Sequence, residues 1–340
     1  MNHCNTPMTL VVVGANGYSG SALLRAASRQ PDLFQIRAQV RTARAWVKGS
    51  NIEYFSGSLE QVDPALFPNT PHILLHLAGK NQDADGSGYE QVNVAGTRAL
   101  LAHCNAFTRA VLYHSSLSVL GQDPQRHVSN RQPPAPTTAL ARSRAAAEDL
   151  VLAHAGQQSI SAYCLRPRFI LGKDDAFVMP GLLKLARKGL FIGSGQQQFS
   201  IIDVDDYARL ILELCQHAMT LYAQGQPEQL PLNVGYEQPL SFATLFETLQ
   251  PERRAKRRIH YPAAVASACN WLPNSAPDAI THWKLLRKLQ ALATQLQLIG
   301  LDHYGDVSET RKRIHSDLLS RDSADYFRTL ATHFKESPCH

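Results

Sequence analysis

Thr9-Leu10-Val11-Val12-Val13 is a continuous, mostly β-branched run. Such a run predicts a strand buried on both faces of a parallel sheet. A glycine-rich turn, Gly14 to Gly20, follows it, and then a helical stretch from Ser21 to Arg29. Leu23, Leu24, Ala26 and Ala27 supply the buried side of that helix, and Pro31 ends it. Further strands are predicted at Gln35–Arg41, Ile52–Phe55, His72–Leu77, Ala110–Ser115 and Ser161–Arg166. Helical periodicity runs over Tyr89–Asn105 and Ala139–Ala155 between them. This alternation predicts an α/β chain with a doubly wound parallel sheet.

Beyond Pro167 the alternation fades. Met179–Lys188, Val204–Gln216 and Phe242–Leu249 read as helices, and Ile201-Ile202 and Leu232–Val234 as short strands. Residues 250–280 carry little pattern. Trp283–Leu298 is an amphipathic helix by its leucine spacing, and the last 40 residues read as polar and mostly helical. The expected organisation is a dinucleotide-binding domain over 7–170 and a smaller substrate-binding part over 171–335. Segments at about 195–240 are expected to return to the first domain.

Composition narrows the class. The 340 residues are 44% hydrophobic and 18% charged, which excludes wholesale disorder and coiled coil. The six cysteines are scattered without C-x-x-C spacing, so no metal site is expected and reduced thiols in a cytoplasm are. Met1 to Pro7 has neither a basic nor an apolar signal region, and no run is long enough to span a bilayer. The net charge of +6 is mild. One basic cluster, Arg253, Arg254, Lys256, Arg257 and Arg258, lacks interleaved aromatics, so no nucleic acid partner is expected.

Gly14-Ala15-Asn16-Gly17-Tyr18-Ser19-Gly20 spaces its glycines by three, directly between strand and helix. The first glycine permits a tight turn, the second lets backbone approach a pyrophosphate, and the third lets the helix pack on the strand. Free N–H groups at the helix start would hold the phosphate charge. A residue near the end of the second strand sorts the two nicotinamide cofactors. Here Arg41 and Arg44 stand where an acidic residue would bind the ribose of NAD. A guanidinium pairs well with a 2′-phosphate, so NADP is the expected cofactor, with NAD the alternative.

These motifs, in this order, resemble the extended short-chain dehydrogenase/reductase family, which includes nucleotide-sugar epimerases and dehydratases. Ser58 and Leu59 sit where that family contacts adenine, and Leu77, Ala78 and Gly79 look like the segment passing under the cofactor. Val92–Thr97 is similar to its structural helix motif, in which Asn93 would bond neighbouring backbone. Ser115-Ser116 resembles the strand end that carries the catalytic serine. The segment holding Pro167 and Phe169 resembles the nicotinamide end. The resemblance implies a Rossmann-type sheet with a smaller mixed C-terminal substrate domain. It implies cofactor contacts from Gly14, Asn16, Gly17, Tyr18, Ser19, Gly20, Ser58, Leu59, Leu77, Ala78, Gly79, Ser115, Arg144, Pro167 and Phe169, joined by Arg41 and Arg44. It also suggests a homodimer.

One departure outweighs the matches. The family's active site is Tyr-x-x-x-Lys on a helix, and the corresponding register here places Leu140 at the tyrosine and Arg144 at the lysine. A tyrosine gives or takes a proton at the substrate oxygen, and a cation one turn on lowers its pKa. Leu140 has no proton, and Arg144 is permanently charged and suits ribose binding. No tyrosine lies between Tyr113 and Tyr163, so no small shift of register restores the pair. Ser116 is expected to orient a small-molecule substrate. The proton would come from His114, Tyr113, Tyr163, Tyr89 or water, with His114 favoured because strand alternation puts it on the face of Ser116. Two other readings stay open: a reaction that needs no tyrosine, and a non-catalytic NADP-binding sensor or assembly subunit. Arg168 and Lys173 either meet an anionic substrate or are solvated. Asp203, Asp205 and Asp206 read as helix-start capping.

Overall fold

The computed structural model describes residues 6–41, 47–83, 88–250, 257–259 and 298–336. Strands β1 (Met8–Val13), β2 (Phe34–Val40), β3 (Ile52–Ser56), β4 (His72–His76), β5 (Thr108–His114), β7 (Ser161–Pro167) and β12 (Gln229–Val234) form one seven-stranded sheet. Its order is β12-β7-β5-β4-β1-β2-β3, and every pairing is parallel. All seven strands therefore end on one edge, where ligands of such sheets sit.

Period-two alternation splits each strand between two cores. Leu10, Val12, Leu75, Leu112 and Leu165 face α1 (Tyr18–Ser28) and α5 (Val204–Gln224), which pack on each other. Val11, Val13, Leu74, Val111 and Cys164 face the other way. That layer holds the short α2 (Gly96–Leu101) and α3 (Ala139–Gln158), whose Ala147, Val151 and Ala155 are buried. Small residues at those three positions let α3 sit close to the sheet.

A second body of short elements covers the sheet edge. β6 (Gln125–Val128), β10 (Gln198–Phe199), β13 (Leu240–Ser241) and β15 (His303–Gly305) form a four-stranded sheet, ordered β13-β10-β15-β6. β8 (Phe169–Leu171) pairs with β11 (Ile201–Asp203), and β9 (Leu190–Ile192) with β14 (Arg257–Ile259). Helices α4 (Met179–Arg187) and α6 (Phe242–Leu249) pack together, and α6 also packs on α7 (Ser323–Glu336). The chain thus leaves the main sheet after β7, and returns to it through α5 and β12.

Several boundaries differ from expectation. The first helix starts at Tyr18, inside the glycine turn, since helical backbone begins as soon as Gly17 supplies the extended cap. The helix expected over Tyr89–Asn105 is a π-helical segment, Glu90–Ala95, that becomes α2 and stops at Leu101. α5 continues to Gln224, well past Gln216, because Ala218 and its neighbours keep the buried stripe going to a left-handed Gly225. The last 40 residues contribute one long helix, α7, and a helical turn at Ser308–Arg311. The amphipathic helix expected from Trp283 and most of the basic cluster lie outside the described residues. Among those described, no helix is long and apolar enough to cross a membrane.

Candidate active site at the strand edge

The turn after β1 is fixed by backbone crowding. Gly14 has φ +89°, and a Cβ there would lie 2.5 Å from Ala78 N. A Cβ on Gly20 would collide with the Gly14 and Ala15 carbonyls. Gly17 N–H donates to Gly14 O at 3.0 Å, closing the loop. No side chain caps α1, and its first turn has no acidic residue. The leading N–H groups of a three-turn helix are therefore left for an anion. The cradle excludes side chains and presents donors, which fits a diphosphate.

The segment after β4 closes the cradle from below. Leu77 N–H donates to Val13 O at 2.9 Å. Asn93 clamps the same segment: its Oδ1 accepts from Lys80 N at 2.7 Å, and its Nδ2 donates to Lys80 O at 3.1 Å and Ser143 Oγ at 3.0 Å. Asn93 is thus structural, and ties the loop to the first turn of α3. Gly79, Leu77 and Ala78 are all on this loop.

The cofactor-side residues divide by what they can offer. Ser58 Oγ accepts from Glu60 N and Gln61 N, and so shapes its own turn. Leu59 is buried against Gly96, Ser115 Oγ is buried, and Phe169 packs edge-to-face on Phe199 at 5.6 Å. These three side chains point into the protein, so only their main chain is available to a ligand. The Tyr18 hydroxyl lies against Gly172, where a Cβ would come within 2.5 Å of it. Pro167 closes β7 opposite Val234. Arg41 is exposed just past β2, and Arg44 lies outside the described residues.

The β5 end of the edge gathers side chains from elements far apart in sequence. Ser116 follows β5, and its Oγ accepts from Ser118 N at 3.2 Å and Ser118 Oγ at 3.0 Å. Its own hydrogen stays free to point elsewhere. His114, at the end of β5, is half-buried, and its Nδ1 lies 2.8 Å from Tyr207 Oη. Burial pushes the imidazole down to about 3, and the charge of Arg144 and the neighbouring His76 push the same way. His114 is therefore neutral at ordinary pH. His76, fully buried, is likewise driven to about 3 by burial.

Arg144 donates to Asn81 Oδ1 at 2.5 Å, and its field reaches Tyr113, Tyr89 and Tyr207. Burial lowers its pKa. One turn further along α3, Glu148 forms a buried pair with Arg166 of β7, at 2.5 Å from Nη2 and 2.9 Å from Nε. That pair pins α3 to the sheet and so fixes where Arg144 stands. Arg168 has a buried Nε without a partner among the described residues, and its guanidinium sits over the Phe169 ring at 5.4 Å. Burial, then the charge of Arg144, lower it to about 9, so both remain cations. Lys173 is exposed.

Of the sequence-derived proton donors, Tyr163 is elsewhere: its hydroxyl donates to Glu228 Oε1 at 2.7 Å, midway along β7. Of the three aspartates, Asp203 is the cap, its Oδ1 accepting from Asp205 N at 2.8 Å and Asp206 N at 3.2 Å, whereas Asp205 pairs with Arg25 and Asp206 Oδ2 accepts from Tyr236 Oη at 2.6 Å and Arg321 Nη1 at 2.8 Å. Tyr207 was missed by the sequence reading. Its signal was a hydroxyl on the buried stripe of α5 beside Leu210, Ile211 and Leu214, which pattern alone counts as core.

A sequence model of the NAD dependent epimerase/dehydratase family matches residues 10–229. The chain is 27% identical over 204 residues to a decarboxylating sterol-4-alpha-carboxylate 3-dehydrogenase of Candida albicans, covering 53% of this chain and 56% of that one. It is 28% identical over 216 residues to a 2-alkyl-3-oxoalkanoate reductase of Stenotrophomonas maltophilia, covering 59% and 63%. The matched stretch thus spans little more than half the length of these curated relatives. Among solved structures, UDP-glucuronic acid 4-epimerase of Bacillus cereus, in complex with UDP-glucuronic acid and NAD, superposes with a TM-score of 0.66. Identity is 16%, over 97% of this chain and 99% of that one, a likeness of fold.

Proposed function

The chain belongs to the NAD dependent epimerase/dehydratase family, and on that premise we propose that it is an NADP(H)-linked oxidoreductase that reduces a carbonyl on a small anionic metabolite, without the tyrosine of the usual pair. One observation carries this reading. The glycine cradle after β1 and the Ser116, His114 and Arg144 group after β5 and on α3 share one edge of the sheet. The cradle would hold a dinucleotide by its diphosphate, and these side chains would meet its reactive end.

The cradle N–H groups would hold the diphosphate, main chain at Ser58 and Leu59 the adenosine, and Arg144 the nicotinamide ribose. Bound there, a reduced nicotinamide supplies a hydride. Arg41 past β2 favours a 2′-phosphate and hence NADP. Ser116 donates to the substrate oxygen with the hydrogen that its bonds from Ser118 leave free. Arg144 and Arg168 are two neighbouring cations, and an anionic substrate relieves their mutual repulsion. The two curated relatives, named for a sterol carboxylate and an oxoalkanoate, support a carboxylate as that anion. Leu140 favours a second reading, a dinucleotide-binding sensor or assembly subunit, because it leaves the usual position without a proton.

The test is NADPH consumption with a panel of 3-oxo acids and their uncharged methyl esters. Oxidation of NADPH by the acids, with the esters at least about tenfold slower, is expected. NADPH binding without turnover on any member supports the sensor, and failure to bind either nicotinamide cofactor ends both readings.

A further inference from the structure

Reducing a carbonyl requires one hydride at carbon and one proton at oxygen, and residue 140 cannot give the proton. We infer that His114 delivers it from Nε2 and that Tyr207, hydrogen-bonded to Nδ1, is the positioning residue that sets the imidazole tautomer and reloads it. This rests on the oxidoreductase reading above.

The tautomer follows from counting hydrogens. Tyr207 is 0% exposed, and His114 Nδ1, at 2.8 Å, is its hydroxyl's hydrogen-bond partner among the described residues. A buried hydroxyl hydrogen without an acceptor costs about 1–3 kcal/mol. Tyr207 therefore donates and Nδ1 accepts, which leaves the single proton of a neutral imidazole on Nε2. The two rings meet edge-on, with centroids 5.5 Å apart, so packing as well as the hydrogen bond holds the orientation. Nε2 points away from Tyr207, and His114 is half-buried at the strand edge, two residues before Ser116.

Tyr207 also solves a problem of basicity. A neutral imidazole that gives up its Nε2 proton alone becomes an imidazolate, nearly as strong a base as the alkoxide it protonates. With Tyr207, the O–H bond of the phenol breaks and an N–H bond forms at Nδ1, while the Nε2–H bond breaks and an O–H bond forms on the substrate. The imidazole ends neutral and the phenol ends as phenolate, a weaker base than the alkoxide consumed. Burial pushes the Tyr207 phenol well up from its ordinary value, the charge of Arg144 on α3 acts in the opposite sense and so favours the phenolate, and a solvent proton restores the starting state. The charged and titratable groups facing the pair are Arg144 from α3 and His76 from β4. Burial, then the charge of Arg144 and the neighbouring His76, disfavour an imidazolium, which keeps His114 in the neutral form the relay uses.

The experiment uses full-length protein labelled with nitrogen-15 histidine, His114 being assigned by the signal lost in His114→Gln. The wild-type spectrum should show His114 as a neutral Nε2–H tautomer that resists protonation to below pH 5. Tyr207→Phe, which keeps ring volume, should lose the tautomer preference. Its kcat should fall about 100-fold, with NADPH affinity within twofold of wild type. A wild-type Nδ1–H tautomer overturns the inference, and that reading needs no variant to fold. So does a folded Tyr207→Phe protein with unchanged tautomer and kcat. Absence of turnover in wild type, with the Nε2–H tautomer present, instead removes the oxidoreductase reading and leaves the pair assigned.

Discussion

The two ends of the strand edge are built on different principles. At the β1–α1 turn, backbone does the work: three glycines bring carbonyls and amides together, and no functional side chain is required. At the β5 end, side chains from β5, α3, α5 and the loop after β7 meet, each delivered by a different part of the chain. A site made of backbone tolerates almost any change except an added Cβ. A site made of side chains can be rewired, and the register of the sequence motif puts a leucine and an arginine, Leu140 and Arg144, at the positions expected to carry Tyr and Lys. On the proposed reading, one end keeps the family pattern while the other departs from it.

The largest expected effect tests how the side-chain end is anchored. Arg166→Met leaves Glu148 charged and unpaired in a site 2% exposed, and should cost about 3–5 kcal/mol in urea unfolding. If stability holds, α3 is not pinned by this pair, and Arg144 is positioned by other contacts. Next, Gly20→Ala tests the backbone end. Its Cβ collides with two carbonyls of the turn, so overpacking should cost about 1–3 kcal/mol. Calorimetry on the folded fraction should show dinucleotide affinity reduced at least about tenfold. Arg41→Ala should weaken NADPH binding about tenfold, roughly 1.4 kcal/mol, and leave NADH binding unchanged. Equal loss for both cofactors would place Arg41 away from the 2′-phosphate.

A further effect concerns pH. His76 and His114 are held at about 3 by burial, below the ordinary 6.5, so the unfolded chain takes up protons that the folded one refuses. Their contribution to stability is complete above about 6.5 and is lost as pH falls from there toward about 3. The slope is up to about 1.4 kcal/mol per pH unit for each ring. Urea unfolding of His114→Gln between pH 6 and 4 should show one ring's share of that slope removed. An unchanged slope would mean His114 titrates normally in the folded protein.

The legibility of the molecule in its sequence follows the same division. The glycine turn could be read because its constraint is local: Gly14, Gly17 and Gly20 solve a steric problem posed within seven residues. The central strands could be read because double-sided burial leaves continuous runs such as Leu10 to Val13. That no tyrosine lies between Tyr113 and Tyr163 is likewise plain from the chain alone. The contact between His114 and Tyr207 could not be read: Tyr207 lies 93 residues from His114, on a helix whose buried stripe makes a tyrosine look like one more apolar residue. The short strands β6, β10, β13 and β15 went unread because two to four residues carry no period, and their pairing is set by the fold around them. The inward turn of Leu59, Ser115 and Phe169 was likewise invisible in a motif that names positions but not directions.

The central claim is that the edge beside the glycine cradle holds a reduced nicotinamide dinucleotide with a 2′-phosphate. Titration calorimetry of the full chain with NADPH and with NADH addresses it most directly. Saturable binding of one equivalent of NADPH, at least about tenfold tighter than NADH, is expected. No saturable heat with either nucleotide would contradict it.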